Sequence, residues 1–174
     1  MKRFPVRSGQ ASADDAELPE SDLRLEALLD NLRSAYNVGS ILRTADGLGF
    51  SHVYLAGITP SPLEPAVRKT SLAAEASVPW SSHPNALRLA QQLKSEGARV
   101  VGLERTGRSV PITATDRFSE ETRLVLVVGN ERAGIDPELL SLCDAIASLP
   151  MFGTKDSYNV AVAFAMAAFR LRFP

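Results

Sequence analysis

A single cysteine, Cys143, in a chain of 174 residues excludes an intramolecular disulfide and any Cys-rich metal site, and fits a reducing compartment. Histidine is almost as scarce: His52 and His83 are the only two. Neither is matched to a Cys or Ser nucleophile in any recognisable arrangement, which disfavours a small-molecule α/β enzyme working through a covalent intermediate. No apolar run approaches the roughly 20 residues of a membrane span. The basic start Met1-Lys2-Arg3-Phe4-Pro5 lacks the apolar segment of a secretory signal, so the expectation is a cytoplasmic protein. Excess positive charge is missing as well. With 19 Lys and Arg against 20 Asp and Glu the formal net charge is -1, and any nucleic-acid contact has to come from a local basic patch. Neither G-x-G-x-x-G nor G-K-[ST] occurs, which removes the dinucleotide fingerprint and the P-loop.

What is present is a chain that is 45% hydrophobic, enough for one domain with a sizeable core. Residues 1 to 20 mix Ser, Ala, Asp, Glu and Pro without periodicity and read as a disordered tail, which leaves 21–174 as the domain. Val38, Ile41, Leu42, Ala45 and Leu48 recur at helical spacing, with Asn37 as a candidate N-cap and Gly49 as the stop. Arg43 falls on the opposite face, with Tyr36, Ser40 and Gly47. Short apolar runs at 52–56, 99–103, 124–128 and 145–149 read as buried parallel strands. Helical patterns alternate with them: 82–96 with Gly97 as the stop, 138–143 opened by Asp136-Pro137, and a final helix behind Asp156 and Ser157 whose stripe is Val160, Ala163, Phe164, Ala167, Ala168 and Leu171. The pattern is α/β with a parallel sheet. The leucines between Leu23 and Leu32 fit either a helix or a strand.

Three polar blocks adjoin these apolar patterns: Asn37 to Arg43 (NVGSILR), Leu126 to Ile135 (LVVGNERAGI) and Leu149 to Val160 (LPMFGTKDSYNV). In an open parallel sheet the ligand crevice lies at the carboxyl ends of the strands, where glycine lets a ligand approach the backbone. The second and third blocks stand there. Each also has a plainer reading. Gly129-Asn130 could be a simple turn, Asp156 or Ser157 a simple cap, and Arg43 a solvated charge. Asn159, an amide just before an apolar stripe, is expected to be buried and in need of partners.

Taken in order, the blocks resemble the three motifs of the SpoU (TrmH-like) branch of the SPOUT RNA methyltransferases. The first motif matches at Asn37, Gly39, Arg43, Thr44 and Ala45. The second matches at Gly129, Asn130, Glu131 and Gly134, and the third at Pro150, Met151, Gly153, Ser157, Asn159 and Val160. Tyr158 departs from the family's usual Leu and Ala161 from its frequent Ser. The resemblance favours a strand ending near Asp30. It implies a parallel-sheet SPOUT fold with a C-terminal deep trefoil knot, a rare exception to the rule that chains do not knot. It further implies a homodimer and transfer of a methyl group from S-adenosylmethionine to a ribose 2′-oxygen of tRNA or rRNA, with no metal. Arg43, Asn37, Glu131, Ser157 and Asn159 would be the catalytic set. Leu103, Gly129, Leu149 and Met151, with Ser157 and Asn159, would hold the cofactor. The rival from another class is a non-catalytic RNA- or nucleotide-binding module that keeps the fold. The further apolar residues Ala161, Ala165, Met166 and Phe169 make the last helix, Ser157 to Arg170, the expected dimer contact.

Overall fold

The computed structural model describes residues 23–114 and 122–173; the expected tail, residues 1–20, lies outside the described residues. Seven parallel strands form one sheet. In chain order they are β1 (Arg24–Asp30), β2 (His52–Ala56), β3 (Trp80–His83), β4 (Arg99–Leu103), β5 (Val110–Pro111), β6 (Arg123–Val128) and β7 (Ala145–Ser148). Their spatial order is β3-β2-β1-β6-β4-β7-β5. Among the described residues five α-helices cover the sheet: α1 (Ala35–Gly47), α2 (Pro65–Ser71), α3 (Ala86–Ser95), α4 (Pro137–Leu142) and α5 (Val160–Arg172).

Alternation along each strand divides the core in two. Leu25, Ala27 and Leu29 of β1 join Val53, Leu55, Leu124, Leu126 and Val128 under α1, α2 and α5, where Phe164 is fully buried. Leu28, Tyr54, Val100, Val125 and Val127 face the other way, under α3 and α4. Strands apolar on both faces are what a parallel sheet between helical layers requires, and these central strands read accordingly. Gly39 is needed where α1 crosses α2, because a Cβ there would lie 2.4 Å from the Val67 carbonyl oxygen.

The strand at 24–30 settles the ambiguous leucines: they pair with β2 on one side and β6 on the other. The helix expected at 82–96 begins only at Ala86. Ser82 and His83 instead end the edge strand β3, paired with Leu55 and Ala56, and Asn85 caps α3 by accepting from the Arg88 N–H. Ser34, not Asn37, is the N-cap of α1. Asn159, not Asp156 or Ser157, is the N-cap of α5. It is exposed rather than buried, because the helix starts one residue after it.

Candidate functional site

Register brings three strand ends level. Gly102 pairs with Val127, and Leu103 with Ala147, so Val128, Leu103 and Ser148 end side by side on the neighbouring strands β6, β4 and β7. The chain leaves each strand into a loop, and the three loops with the first turn of α5 enclose an open cleft of about 500 Å³. This is the carboxyl edge where a parallel sheet binds ligands. Leu103, Val128, Leu149, Met151, Val160 and Ala163 give it apolar walls, while Glu104, Glu131, Ser157 and Asn159 give it polar ones.

The loop after β6 is folded tightly on itself. Asn130 and Gly134 exchange both backbone hydrogen bonds at 2.9 Å, and the Asn130 side-chain oxygen accepts from the Arg132 and Ala133 N–H groups. A Cβ at Gly129 would lie 2.2 Å from the Gly134 carbonyl carbon and from the Ile135 nitrogen. Gly129 is therefore required by the loop's own return, before any ligand is considered. The Asn130 amide then donates to the Asn31 carbonyl at 2.7 Å, fixing the loop to the end of β1. Glu104 braces the far side, accepting from the Ile135 N–H at 3.1 Å.

Glu131, held out by this loop, is the hub of the site. Its carboxylate accepts from the Arg33 N–H at 2.9 Å, the Ser34 N–H at 3.0 Å and the Asn37 side-chain amide at 3.0 Å. Burial works to raise the Glu131 pKa, but the Arg33, Asn37 and Ser34 donors outweigh it and hold the carboxyl below its usual range. Asn37 has its amide nitrogen committed to an acceptor-only carboxylate, so it turns its oxygen to the Asn159 amide at 3.1 Å. Asn159 has its nitrogen committed in turn, and its oxygen caps α5 through the Ala161 and Val162 N–H groups. The charge on Glu131 thus sets the orientation of both amides, and one relay joins all three polar blocks.

A family model for the SpoU rRNA methylase family matches residues 24–169. The chain belongs to that family. A 23S rRNA (guanosine-2′-O-)-methyltransferase of Neisseria meningitidis serogroup B is 31% identical over 152 residues, 84% of this chain and 57% of that protein. A 23S rRNA (guanosine(2553)-2′-O)-methyltransferase of Bacillus subtilis is 30% identical over 94% of this chain and 65% of its own length. The chain thus spans less than two thirds of either relative. Among solved structures, an AdoMet-bound rRNA methyltransferase from Sinorhizobium meliloti superposes with a TM-score of 0.79 at 30% identity, covering 86% of this chain and 56% of that one. The SpoU methyltransferase AviRb from Streptomyces viridochromogenes gives 0.77 at 27% identity, covering 89% and 61%.

Within this SpoU domain, Leu103, Gly129, Leu149, Met151, Ser157 and Asn159 all line the cleft, as does Glu131. Asn37 and Arg43 do not; Asn37 reaches the lining through Glu131 and Asn159. Arg43 is exposed on α1 and has no side-chain partner among the described residues. The Ser157 hydroxyl is likewise uncommitted there. Sequence reasoning missed Glu104 and the backbone of Arg33 and Ser34, and had Asn130 only as a motif match without a role. Glu104 had a signal, being an acid at the carboxyl end of a buried strand, the position that singled out Gly129. The backbone donors had none, since an N–H group leaves no mark on the sequence. Tyr158, the departure from the family's usual Leu, donates its hydroxyl to the Pro150 carbonyl at 3.2 Å and also lines the cleft.

Proposed function

We propose that the chain is an S-adenosylmethionine-dependent RNA 2′-O-ribose methyltransferase acting in the cytoplasm on rRNA or tRNA. The observation that carries this reading is the relay Glu131–Asn37–Asn159, which joins all three family motifs at the lip of one cleft. The cleft fits the cofactor on its own terms. It has the volume of a small-molecule site, apolar walls at Leu103, Leu149 and Met151 that would hold a purine, and the carboxylates of Glu104 and Glu131, which would favour a sulfonium's positive charge. When bound, S-adenosylmethionine supplies an electrophilic methyl group.

The residues of the chain do the positioning. The relay fixes the first turns of α1 and α5 against the loop after β6, so Ser157 and Asn159 would meet a bound ribose in one geometry. Alignment of this kind contributes on the order of several kcal/mol to a displacement reaction. The family resemblance gives Arg43 the role of phosphate clamp and stabiliser of charge developing on the 2′-oxygen; it stands outside the cleft lining, so it would meet the RNA from the exposed face of α1. It does not take the proton, because a guanidinium remains protonated.

Two further parts of the reading concern architecture. The resemblance carries a C-terminal trefoil knot, which is supported by β7 lying between β4 and β5, both earlier in sequence, and by α5 packing in the core layer over β6. The chain is also a homodimer. On α5, Val162, Met166 and Phe169 are 49%, 37% and 58% exposed at i, i+4 and i+7, a contiguous apolar stripe suited to a two-fold contact. Light scattering from micromolar concentration downward tests this, and a cofactor-binding monomer throughout refutes it.

The test of the activity is mass-spectrometric mapping of 2′-O-methylated nucleosides in RNA from cells with and without the gene. It is repaired in vitro by adding the purified protein and S-adenosylmethionine. A binding module would bind S-adenosylmethionine in calorimetry and leave the RNA unchanged.

A further inference from the structure

Met151 lines the cleft, but Phe152, next in the chain, is 99% exposed, more than any other large hydrophobic side chain among the described residues. The loop around it is not frayed. Tyr158 ties back to the Pro150 carbonyl at 3.2 Å, and Asp156 faces Arg105 at 3.5 Å, so the segment is braced on both sides of the aromatic ring. Every residue from Phe152 to Asn159 is exposed, and Gly153, Thr154, Lys155, Asp156 and Ser157 offer no apolar surface beside the ring. Protein interfaces bury contiguous patches, as the α5 stripe would. A lone aromatic face among polar groups suits a planar ligand that is itself ringed by hydrogen-bonding groups.

The charge around the ring points the same way. Arg132 lines the cleft, Lys155 stands three residues after Phe152, and Arg33 flanks Glu131. None of these three cationic side chains has a partner among the described residues. The carboxylates nearby are engaged: Glu131 by three N–H donors, Glu104 by the Ile135 and Arg105 N–H groups, and Asp156 by Arg105. Unpaired cations on and around the cleft, with an exposed aromatic ring on the loop that lines it, are the elements from which single-stranded nucleic-acid sites are built.

We infer that Phe152 is a stacking platform for the base of the nucleotide whose ribose enters the cleft, with Arg132 and Lys155 on its flanking phosphates. This rests on the RNA methyltransferase reading and narrows its substrate class to an unpaired nucleotide, since a base stacked in a duplex cannot offer its face to a protein ring.

The test compares Phe152→Ala, Phe152→Leu and Phe152→Trp in the full chain, with RNA from cells lacking the gene as methyl acceptor. Stacking predicts a KM for RNA raised roughly tenfold or more in the Ala and Leu variants. The Trp variant stays near wild type, and S-adenosylmethionine affinity and assembly mass stay unchanged in all three. The emission of Trp at position 152 should be quenched by single-stranded oligouridylate and not by the same strand in a duplex. Wild-type KM in the Leu variant, loss of assembly mass, or loss of cofactor affinity would each overturn the inference and assign Phe152 to apolar cover, an interface or the cofactor. If the wild-type protein methylates no RNA while the Trp emission still responds to the single strand alone, the methyltransferase reading fails and the platform stands. If it methylates RNA and all three variants match it, the reverse holds.

Discussion

The amino and carboxyl ends of the sheet each gather a polar cluster around a glutamate, and the two clusters are finished differently. At the amino ends, Glu26 is fully buried. Its carboxylate meets Arg24 at 2.7 Å and Arg123 at 3.0 Å, and Tyr54 donates to it at 3.4 Å. Arg123 reaches on to Glu96. Beside them, the Ser81 hydroxyl sits 2.8 Å from the Nε2 atoms of both His52 and His83; one hydroxyl proton serves one ring, so the other ring must donate. At the carboxyl ends, Glu131 has comparable company, but its cluster opens onto a cleft and leaves the side chains of Arg33, Arg132 and Ser157 uncommitted among the described residues, as Arg43 is on the exposed face of α1. A closed cluster fixes the fold. An open one keeps groups free for a ligand, and the comparison yields opposite expectations for stability and activity.

The largest effect is expected at Arg43. Arg43→Ala should lower methyl transfer by about 10²–10³-fold, the scale of losing one charge-stabilising donor. The melting temperature and cofactor affinity should hold, because the side chain is exposed and unpartnered. Wild-type turnover on a confirmed RNA would remove Arg43 from the reaction. The mirror case is Glu26→Ala, which takes the buried partner from Arg24 and Arg123, leaving Arg24 to the Ser51 hydroxyl and Arg123 to Glu96, and should cost about 1–3 kcal/mol in denaturant unfolding. Turnover per folded molecule should persist. If the Glu26 variant instead loses activity at wild-type stability, the division between the two ends is mistaken.

The difference between the clusters also governs what could be read from the sequence. The strands at 52–56 and 99–103 were legible to the residue, because fully buried parallel strands are continuous apolar runs between polar stops. Edge strands are not: β3 carries Trp80, Ser81, Ser82 and His83 on a half-covered edge, and two of these were absorbed into the helix that follows. The two-residue β5 and the short α2 left no periodicity to find. The starts of α1 and α5 turn on which side chain is free to cap, which residue type alone does not tell. Asn37 and Asn159 are both plausible caps by residue type, yet only one has a free side-chain oxygen. Asn37 spends its amide on Glu131 and Asn159, leaving Ser34 to cap α1, whereas Asn159 caps α5 because its nitrogen alone serves the relay. The residues expected to hold the cofactor came from motif order, and their convergence on one cleft depends on strand register that no motif encodes.

Asn159 permits a finer separation of the two kinds of polar contact, since it has one of each. Asn159→Ala removes cap and relay together and should cost about 1 kcal/mol of stability along with cofactor affinity. Asn159→Asp keeps the cap but places a carboxylate against the Asn37 oxygen. If Asn37 flips to meet it, Glu131 loses a donor and faces an oxygen instead. Thermal unfolding of the Asp variant should stay near wild type while calorimetry shows weakened S-adenosylmethionine binding. Unchanged binding in both variants would reduce the relay to a structural brace.

The smallest expected effect is a pH dependence at the closed end. Burial lowers the His52 pKa; Glu26 opposes the shift, while His83 and Arg24 reinforce it. The ring also stacks on Tyr54 at 4.3 Å. The fold therefore holds His52 neutral. Above the unfolded value of about 6.5 both states are neutral and the contribution is fully present; as pH falls below it, the unfolded chain gains a proton that the native chain resists, and stability declines through that window. Glu131 behaves as a depressed carboxylate: its contribution is complete above the ordinary value of about 4.3 and is lost only as pH falls through its lower folded value. Between pH 7 and 5 the melting temperature should drift downward while cofactor affinity per folded molecule holds, and His52→Asn should flatten the drift. A cofactor affinity that falls in that interval, with stability level, would place the titrating group in the cleft and reverse the assignment.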